Sequence, residues 1–453
     1  MERVKQQIQR ILRTENDPIF RNVFRGSAVV LAARIGNAIL LLGINLIVAR
    51  LYRSEMVGIL ALISSILVIT SIFSQLGTTQ SILRMVPEYT QKGSASVARV
   101  VIHKMALLIS IISPLISLLL VIGAFGWRYL FPDKPIQVTI FLVTALFLPF
   151  FSLSRLYTEA LRALNKTRLY ALAHLLPSLI NLILLVFLIL LIKDPDLPVW
   201  AFFGSGMLVF FITWILVKRN EPTNLSAGSH SVTPTIKEIT SISIPMGITT
   251  AMLLIIANFD IILLGFYLPE NEVGLYSIAS RLALLTGFII SSINAVSAPQ
   301  FSELNFSDQK PKLLSLAIKS SRIIFWSSFP ILLLLIFGGR FFLGLFGREF
   351  VVGYPILVVL VVKEFVNAIG GSVGLYLSMT GSHIIYRNII LIATVINVLL
   401  NFLLIPLFGM IGAAVANLIC VFFWNITASL IIYRQTGKCI SYIPTFIRER
   451  LNI

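Results

Sequence analysis

Three basic residues of this chain, Arg34, Arg281 and Lys363, fall inside apolar runs long enough to cross a membrane. An ionisable side chain within a span faces the bundle interior or a wet cavity and marks a functional position by default. Arginine presents a planar fork suited to bidentate contact with phosphate, and lysine presents a compact charge. Arg34 lies roughly 12 Å into its run at 1.5 Å per residue, and Asn37 and Asn45 follow on the same helical face. Arg281 lies at a similar depth from the opposite end of its run, with Ser277 and Ser292 on its face. Lys363 is followed by Asn367 and Gly374 on one stripe, with Gly370 and Gly371 beside it. The three stripes are expected to converge on one cavity that attracts an anion.

The acidic residues have competing readings. Asp260 is near the outer end of its run, where it is expected at the interface, neutralising Arg50 or Arg281, or acting in coupling. Glu364 follows Lys363 about 100° round the helix and is expected to pair with a cation of another helix. Glu159 and Arg155 belong at the cytoplasmic mouth, and His103 and His174 read as helix-end or packing residues. Pro114 and Pro330 are hinge candidates, because each removes a backbone hydrogen bond within a span. No carboxylate pair, nucleophile constellation or nucleotide-binding glycine loop occurs, so enzymatic activity and direct use of ATP are not expected. Cys420 and Cys439 fit neither a disulfide framework nor a metal site, and no cofactor is implied.

The elements that must position these residues are membrane helices. The chain has 453 residues, 57% hydrophobic and 12% charged, with a mean hydropathy of +0.93. Twelve apolar runs follow one another, near 26–50, 56–78, 101–124, 137–160, 169–192, 198–217, 240–267, 273–299, 318–338, 350–379, 384–406 and 411–433. Runs of about 20 residues predict helices and argue against barrel strands. Of the 36 Lys and Arg, 26 fall on the side of the N-terminus, 7 on the other and 3 within spans. That asymmetry places both termini in the cytoplasm of a cell-membrane protein. It also accounts for the net charge of +17 by orientation and anionic lipid, without nucleic acid. No cleavable signal peptide is expected, and residues 1–25 read as an amphipathic cytoplasmic arm.

One unit is written twice. INLIVARLYRSEMVGILALISS (44–65) overlays FDIILLGFYLPENEVGLYSIASR (259–281) with one gap. An offset of 216 pairs Val57-Gly58 with Val273-Gly274, Ser64 with Ser280, Pro114 with Pro330, Gly123 with Gly339, Tyr170 with Tyr386 and Asn181 with Asn397. The expected architecture is all-α and polytopic: six-helix bundles at 26–217 and 240–433, parallel repeats about a pseudo-two-fold, enclosing a central cavity. The polar segment 218–239 reads as the cytoplasmic linker, and 434–453 as a cytoplasmic tail.

The run Asp260-IILLG-FYLPENE-Val273-Gly274-LYSIASR resembles the second-half signature of bacterial and archaeal polysaccharide flippases. So do LFGREFVVGYPIL (345–357) and GSHIIYRNIILIATVINVLLNFLLIPLFGMIGAAVAN (381–417). LGTTQSILRMVPEY (76–89) and LRALNKTRLY (161–170) stand where that family has its first-half counterparts. The wider multidrug, oligosaccharidyl-lipid and polysaccharide exporter superfamily includes multidrug exporters and lipid II flippases. The resemblance implies inner-to-outer leaflet movement of an isoprenoid-pyrophosphate-linked oligosaccharide, or a related glycolipid, during cell-surface polysaccharide synthesis. Arg34, Arg281 and Lys363 would then attract the diphosphate, and Asn37, Asn45, Asn294 and Asn367 would contact sugar. A polymerase or glycosyltransferases of the same pathway are the expected partners. One alternative is a cation-coupled multidrug exporter, which needs deep carboxylates where this chain has mainly deep cations. The other is a glycan polymerase or ligase, which usually has a larger outer loop than the dozen residues near 125–136.

Overall fold

The structure is a computed structural model. It describes residues 18–91, 95–130, 135–221, 233–307 and 309–442. Most of the amphipathic arm, the centre of the linker and the end of the tail lie outside the described residues. Six helices precede the linker: α1 (Pro18–Gln75), α2 (Thr78–Gln91), α3 (Ala95–Leu130), α4 (Pro135–Ala163), α5 (Thr167–Leu191) and α6 (Leu197–Asn220). After it come α7 (Ile236–Tyr267), α8 (Glu270–Ala283), α9 (Leu285–Phe306) and α10 (Lys310–Phe346). A 3-10 turn (Arg348–Gly353) leads into α11 (Tyr354–Gly370), α12 (Val373–Met379) and α13 (His383–Thr436).

Helix is the expected outcome, since within hydrocarbon a helix satisfies its own backbone polar groups. The ends carry local signals. Thr235 and Glu238 form a capping box at the start of α7, their side chains bonding each other's backbone N–H at 3.3 and 2.7 Å. Gly437, in the left-handed conformation at φ 68, closes α13 through an N–H bond to the Tyr433 carbonyl.

With α8 and α9 counted together, nine of the described helices are long and apolar enough to cross a membrane, or ten if α11 and α12 count as one bent span. The difference from twelve apolar runs has a local cause. α1 turns at Arg53 (φ 64, ψ 180) and α13 at Gly409 (φ 58, ψ −136), each corner so tight that helical hydrogen bonding resumes at once. Three further breaks were not apparent in the runs: Leu76–Gly77, Leu284 between α8 and α9, and Gly371 between α11 and α12. Gly371 has φ 64, and a Cβ there would collide with the Ser321 side chain, so both the bend and the packing select glycine.

Burial is inverted relative to a water-soluble protein. Phe337 and Leu190 are 83% and 79% exposed, whereas Asn397 and Asn401 are 0% exposed. Lipid is as apolar as leucine, so an outward Phe is at no disadvantage and polar groups gather inside with partners.

The helices before the linker pack largely on one another, as do those after it, and the two sets meet where α1 and α2 contact α7 and α8. Toward the corner of α1, Gly58 and Gly274 bring the two backbones into direct contact. Further along, Gly77 meets Gly247, and the buried Ser81 and Ser243 hydroxyls lie 2.5 Å apart. Arg50 donates to the final carbonyls of α10, Leu345 at 2.6 Å and Gly344 at 3.3 Å, where cations suit the helix dipole. The Ser54 N–H donates to a Glu349 carboxylate oxygen at 2.9 Å.

Candidate functional site

Lys363, on α11, points its Nζ at a Glu364 oxygen 2.8 Å away, and both are largely buried. The expectation that Glu364 pairs with another helix is therefore corrected. Neighbours on a helix diverge at Cα, but the four-carbon lysine stem is long enough to fold back round the turn. Asn367 donates to the other Glu364 oxygen at 3.5 Å, and Asn425 of α13 donates to Asn367 at 3.5 Å. A Cβ on Gly370 would overlap the Asn425 amide, so that glycine lets α13 approach.

Asp260 is only 3% exposed, which overturns its expected place at the rim and its pairing with Arg50 or Arg281. Its Oδ2 accepts the Tyr276 hydroxyl at 2.5 Å and the Asn417 amide at 2.7 Å, and its Oδ1 accepts the Ile261 N–H at 2.8 Å. Asn397 donates to Asn417 at 3.3 Å, and Asn401 donates to Asn397 at 3.1 Å. The amide chain thus runs down α13, crosses its corner and ends on the α7 carboxylate. Asn401 Oδ1 is buried without a partner. Lys363 is close enough for its charge to act on Asp260. Tyr276, Asn401, Asn417 and Asn425 were not singled out from sequence. The available signal was the recurrence of asparagine at 397, 401, 417 and 425 within an otherwise apolar run.

The other two cations stand apart from this network. Arg34 of α1 lies near Glu159 and His174, with Arg155 also close to His174. Arg162 contacts Glu159 at 3.6 Å, and the Arg34 Nε is buried without a hydrogen bond. Arg281, on the last turn of α8, is half-buried three residues before the break at Leu284. Among the described residues, no hydrogen bond or ion pair engages its guanidinium, and no charged group lies close enough to act on it. The break also interrupts the helical register between Arg281 and Ser292, so the expected common stripe ends there. Among the described residues, no hydrogen bond or ion pair joins any two of the three cations.

The amides divide likewise. Asn37 accepts the Ser178 hydroxyl of α5 at 2.7 Å, and Asn294 accepts that of Ser372 at 2.8 Å. Asn45 is 4% exposed and donates back to Leu41 at 2.5 Å, so it is folded onto its own helix. Pro114 and Pro330 lie on exposed turns of α3 and α10, which run on unbroken through them. The breaks in the spans fall elsewhere.

Comparison with known proteins gives this geometry a family. Residues 23–305 match the family described as polysaccharide biosynthesis protein. The probable low-salt glycan biosynthesis flippase Agl15 of Haloferax volcanii is 25% identical over 161 residues, 35% of this chain and 34% of that protein. The probable flippase AglR of the same organism is 28% identical over 190 residues, 41% of this chain and 39% of that one. The chain thus aligns with little more than a third of these curated relatives' length. Among solved structures, lipid II flippase MurJ in an inward closed conformation superposes with a TM-score of 0.70 at 16% identity, over 89% of this chain and 87% of MurJ. An inward-facing multidrug resistance MATE family transporter superposes at 0.69 and 16% identity, covering 91% of this chain and 100% of that one. These likenesses are of fold. With more than half of its length matched, the chain belongs to the polysaccharide biosynthesis protein family, and its fold is that of a polytopic all-α membrane protein.

Proposed function

We propose that this protein is a flippase that carries an isoprenoid-pyrophosphate-linked oligosaccharide, or a related glycolipid, from the inner to the outer leaflet by alternating access. The observation that carries this reading is Arg281, a guanidinium within a span that has no counter-ion among the described residues. An unpaired charge in a membrane is unfavourable unless a ligand completes it. A diphosphate supplies the missing anion and fits the arginine fork. Lys363 is already neutralised by Glu364, so the diphosphate role falls first to Arg281 and then to Arg34. The names of the relatives, both probable flippases and one of glycan biosynthesis, favour the same reading.

The proposed architecture is two six-helix bundles related by a pseudo-two-fold, with both termini cytoplasmic. Counting α1 and α13 as two spans each, and α11–α12 as one, gives the twelve traverses this requires. The reciprocal contact of Gly58 with Gly274 supports the symmetry, since these are equivalent positions of the repeat. Asp260 and Glu364, buried on adjoining networks, are the proposed coupling residues.

Replacement of Arg281 by Ala in the native host tests the reading. Surface glycan should fall at least tenfold while the protein remains in the membrane, and Arg281→Lys should restore part of it. Undiminished export by Arg281→Ala would remove the diphosphate role. Loss of organic-cation efflux in place of glycan export would point to the multidrug reading.

A further inference from the structure

A cavity of about 930 Å³ opens where the corner of α1 meets the start of α4, the end of α5 and the start of α6. It belongs to none of the charge networks above, and its volume is typical of small-molecule sites, which run from roughly 300 to 1,000 Å³. The floor is apolar, with Met56 and Ile63 buried beneath it. The rim mixes the aromatic rings of Tyr52 and Trp200 with Arg53, Glu55, Lys193 and Asp194. Asp196 adds a third carboxylate, so the lining carries two basic and three acidic groups. Among the described residues no ion pair joins any of these charges to another, and the one hydrogen bond within the group is from the Asp196 N–H to Asp194 Oδ1 at 2.8 Å.

Arg53 carries a second sign of a built site. It sits at φ 64 and ψ 180, a region that residues other than glycine seldom occupy. The turn itself does not require this. The corresponding corner of the second half passes through Pro269 at φ −70 and ψ 157, with no left-handed residue. The strain is confined to the half that has the cavity, and it puts a guanidinium on the cavity wall.

We propose that this cavity is a glycan-binding site that holds a sugar of the cargo at the membrane face opposite the termini, an inference that rests on the flippase reading above. The charge pattern selects this occupant. A phospholipid or prenyl phosphate would bring its anion against a rim with an excess of carboxylate. A sugar presents hydroxyls that both donate and accept, so carboxylates and cations serve it equally. Its C–H faces suit the Trp200 and Tyr52 rings and the apolar floor, which a fully polar ligand would leave unused. The site gives the polar end of the cargo a landing place after the diphosphate has crossed.

The test uses the full-length protein in intact host cells. Leu51, which lines the cavity and is 60% exposed, is replaced by Cys in a Cys439→Ser background, with the remaining Cys420 buried. Labelling by a membrane-impermeant maleimide is timed in cells that assemble the glycan and in cells blocked at the first sugar transfer. Labelling should be at least threefold slower in glycan-producing cells, and Asp194→Asn or Trp200→Ala should abolish that protection. Equal labelling in the two strains, or no labelling in either, would overturn the site. Protection that survives the block would assign the cavity to a resident lipid and overturn it as well. A gene deletion separates the two readings. If export persists without the protein, the flippase reading fails; if export stops while labelling is unchanged, only the glycan site fails.

Discussion

Gly58 of α1 and Gly274 of α8 touch backbone to backbone, and each would drive an added Cβ onto a carbonyl of the other helix. The carbonyls are those of Glu270 and Ser54, which are themselves equivalent under the 216-residue repeat. The contact is therefore self-complementary, as an isologous two-fold contact must be. Small residues let helix backbones approach this closely in a membrane, where packing and not water exclusion drives association.

Gly58→Leu should separate α1 from α8 and hold that end open. Glycan export is expected to fall at least tenfold with membrane insertion preserved, and Gly274→Leu should do the same. Wild-type export by either variant, measured by surface glycan staining, would deny the contact a part in transport.

The Asp260 network sets a graded stability series. Tyr276→Phe removes one hydroxyl from a carboxylate that keeps two other donors, and should destabilise by about 1 kcal/mol. Asp260→Ala leaves the buried Tyr276 hydroxyl without its acceptor, while the Asn417 amide keeps the Tyr276 oxygen and the Ala413 carbonyl, and should cost about 1–3 kcal/mol. Melting temperatures of the purified protein in detergent would rank them, and equal effects would contradict the network.

The Lys363–Glu364 pair predicts non-additivity. Lys363→Met or Glu364→Gln alone leaves one buried charge exposed to an apolar setting, at a cost of roughly 3 kcal/mol. The double variant should recover most of that loss, as coupled neighbours do. Additive melting shifts would mean that the two side chains are independent.

The proposed orientation places Cys439 in the cytoplasm, and its thiol is exposed. An impermeant thiol reagent should label it in broken cells and not in intact ones. Cys420, buried on α13, should stay unlabelled in both. Labelling of Cys439 in intact cells would invert the topology.

Arg281 also makes a stability prediction. Because no group among the described residues pairs with it, Arg281→Ala strands no partner and should leave the melting temperature unchanged or raised, even as export falls. A large loss of stability would show that Arg281 is a structural residue.

Some of this was legible in the order of residues alone. Apolar runs of spanning length are an additive property of the chain, and bilayer thickness converts them directly into helices. The types of the buried charges were legible too, since Arg34, Arg281 and Lys363 stand out against their runs. Their partners were not. Asp260 looked peripheral because it is near the end of a run, yet Asn417, 157 residues later, closes over it. Lys363 looked free because Glu364 leaves the helix in another direction, and only the path of its flexible stem brings them to 2.8 Å. The breaks at Leu284 and Gly371 cut the stripes drawn from Arg281 to Ser292 and from Lys363 to Gly374. Sequence determines which residues a span contains, because hydrophobicity sums along the chain. Which of them meet is decided only by the packed tertiary structure, because a contact depends on helix crossings and side-chain reach between residues far apart in order.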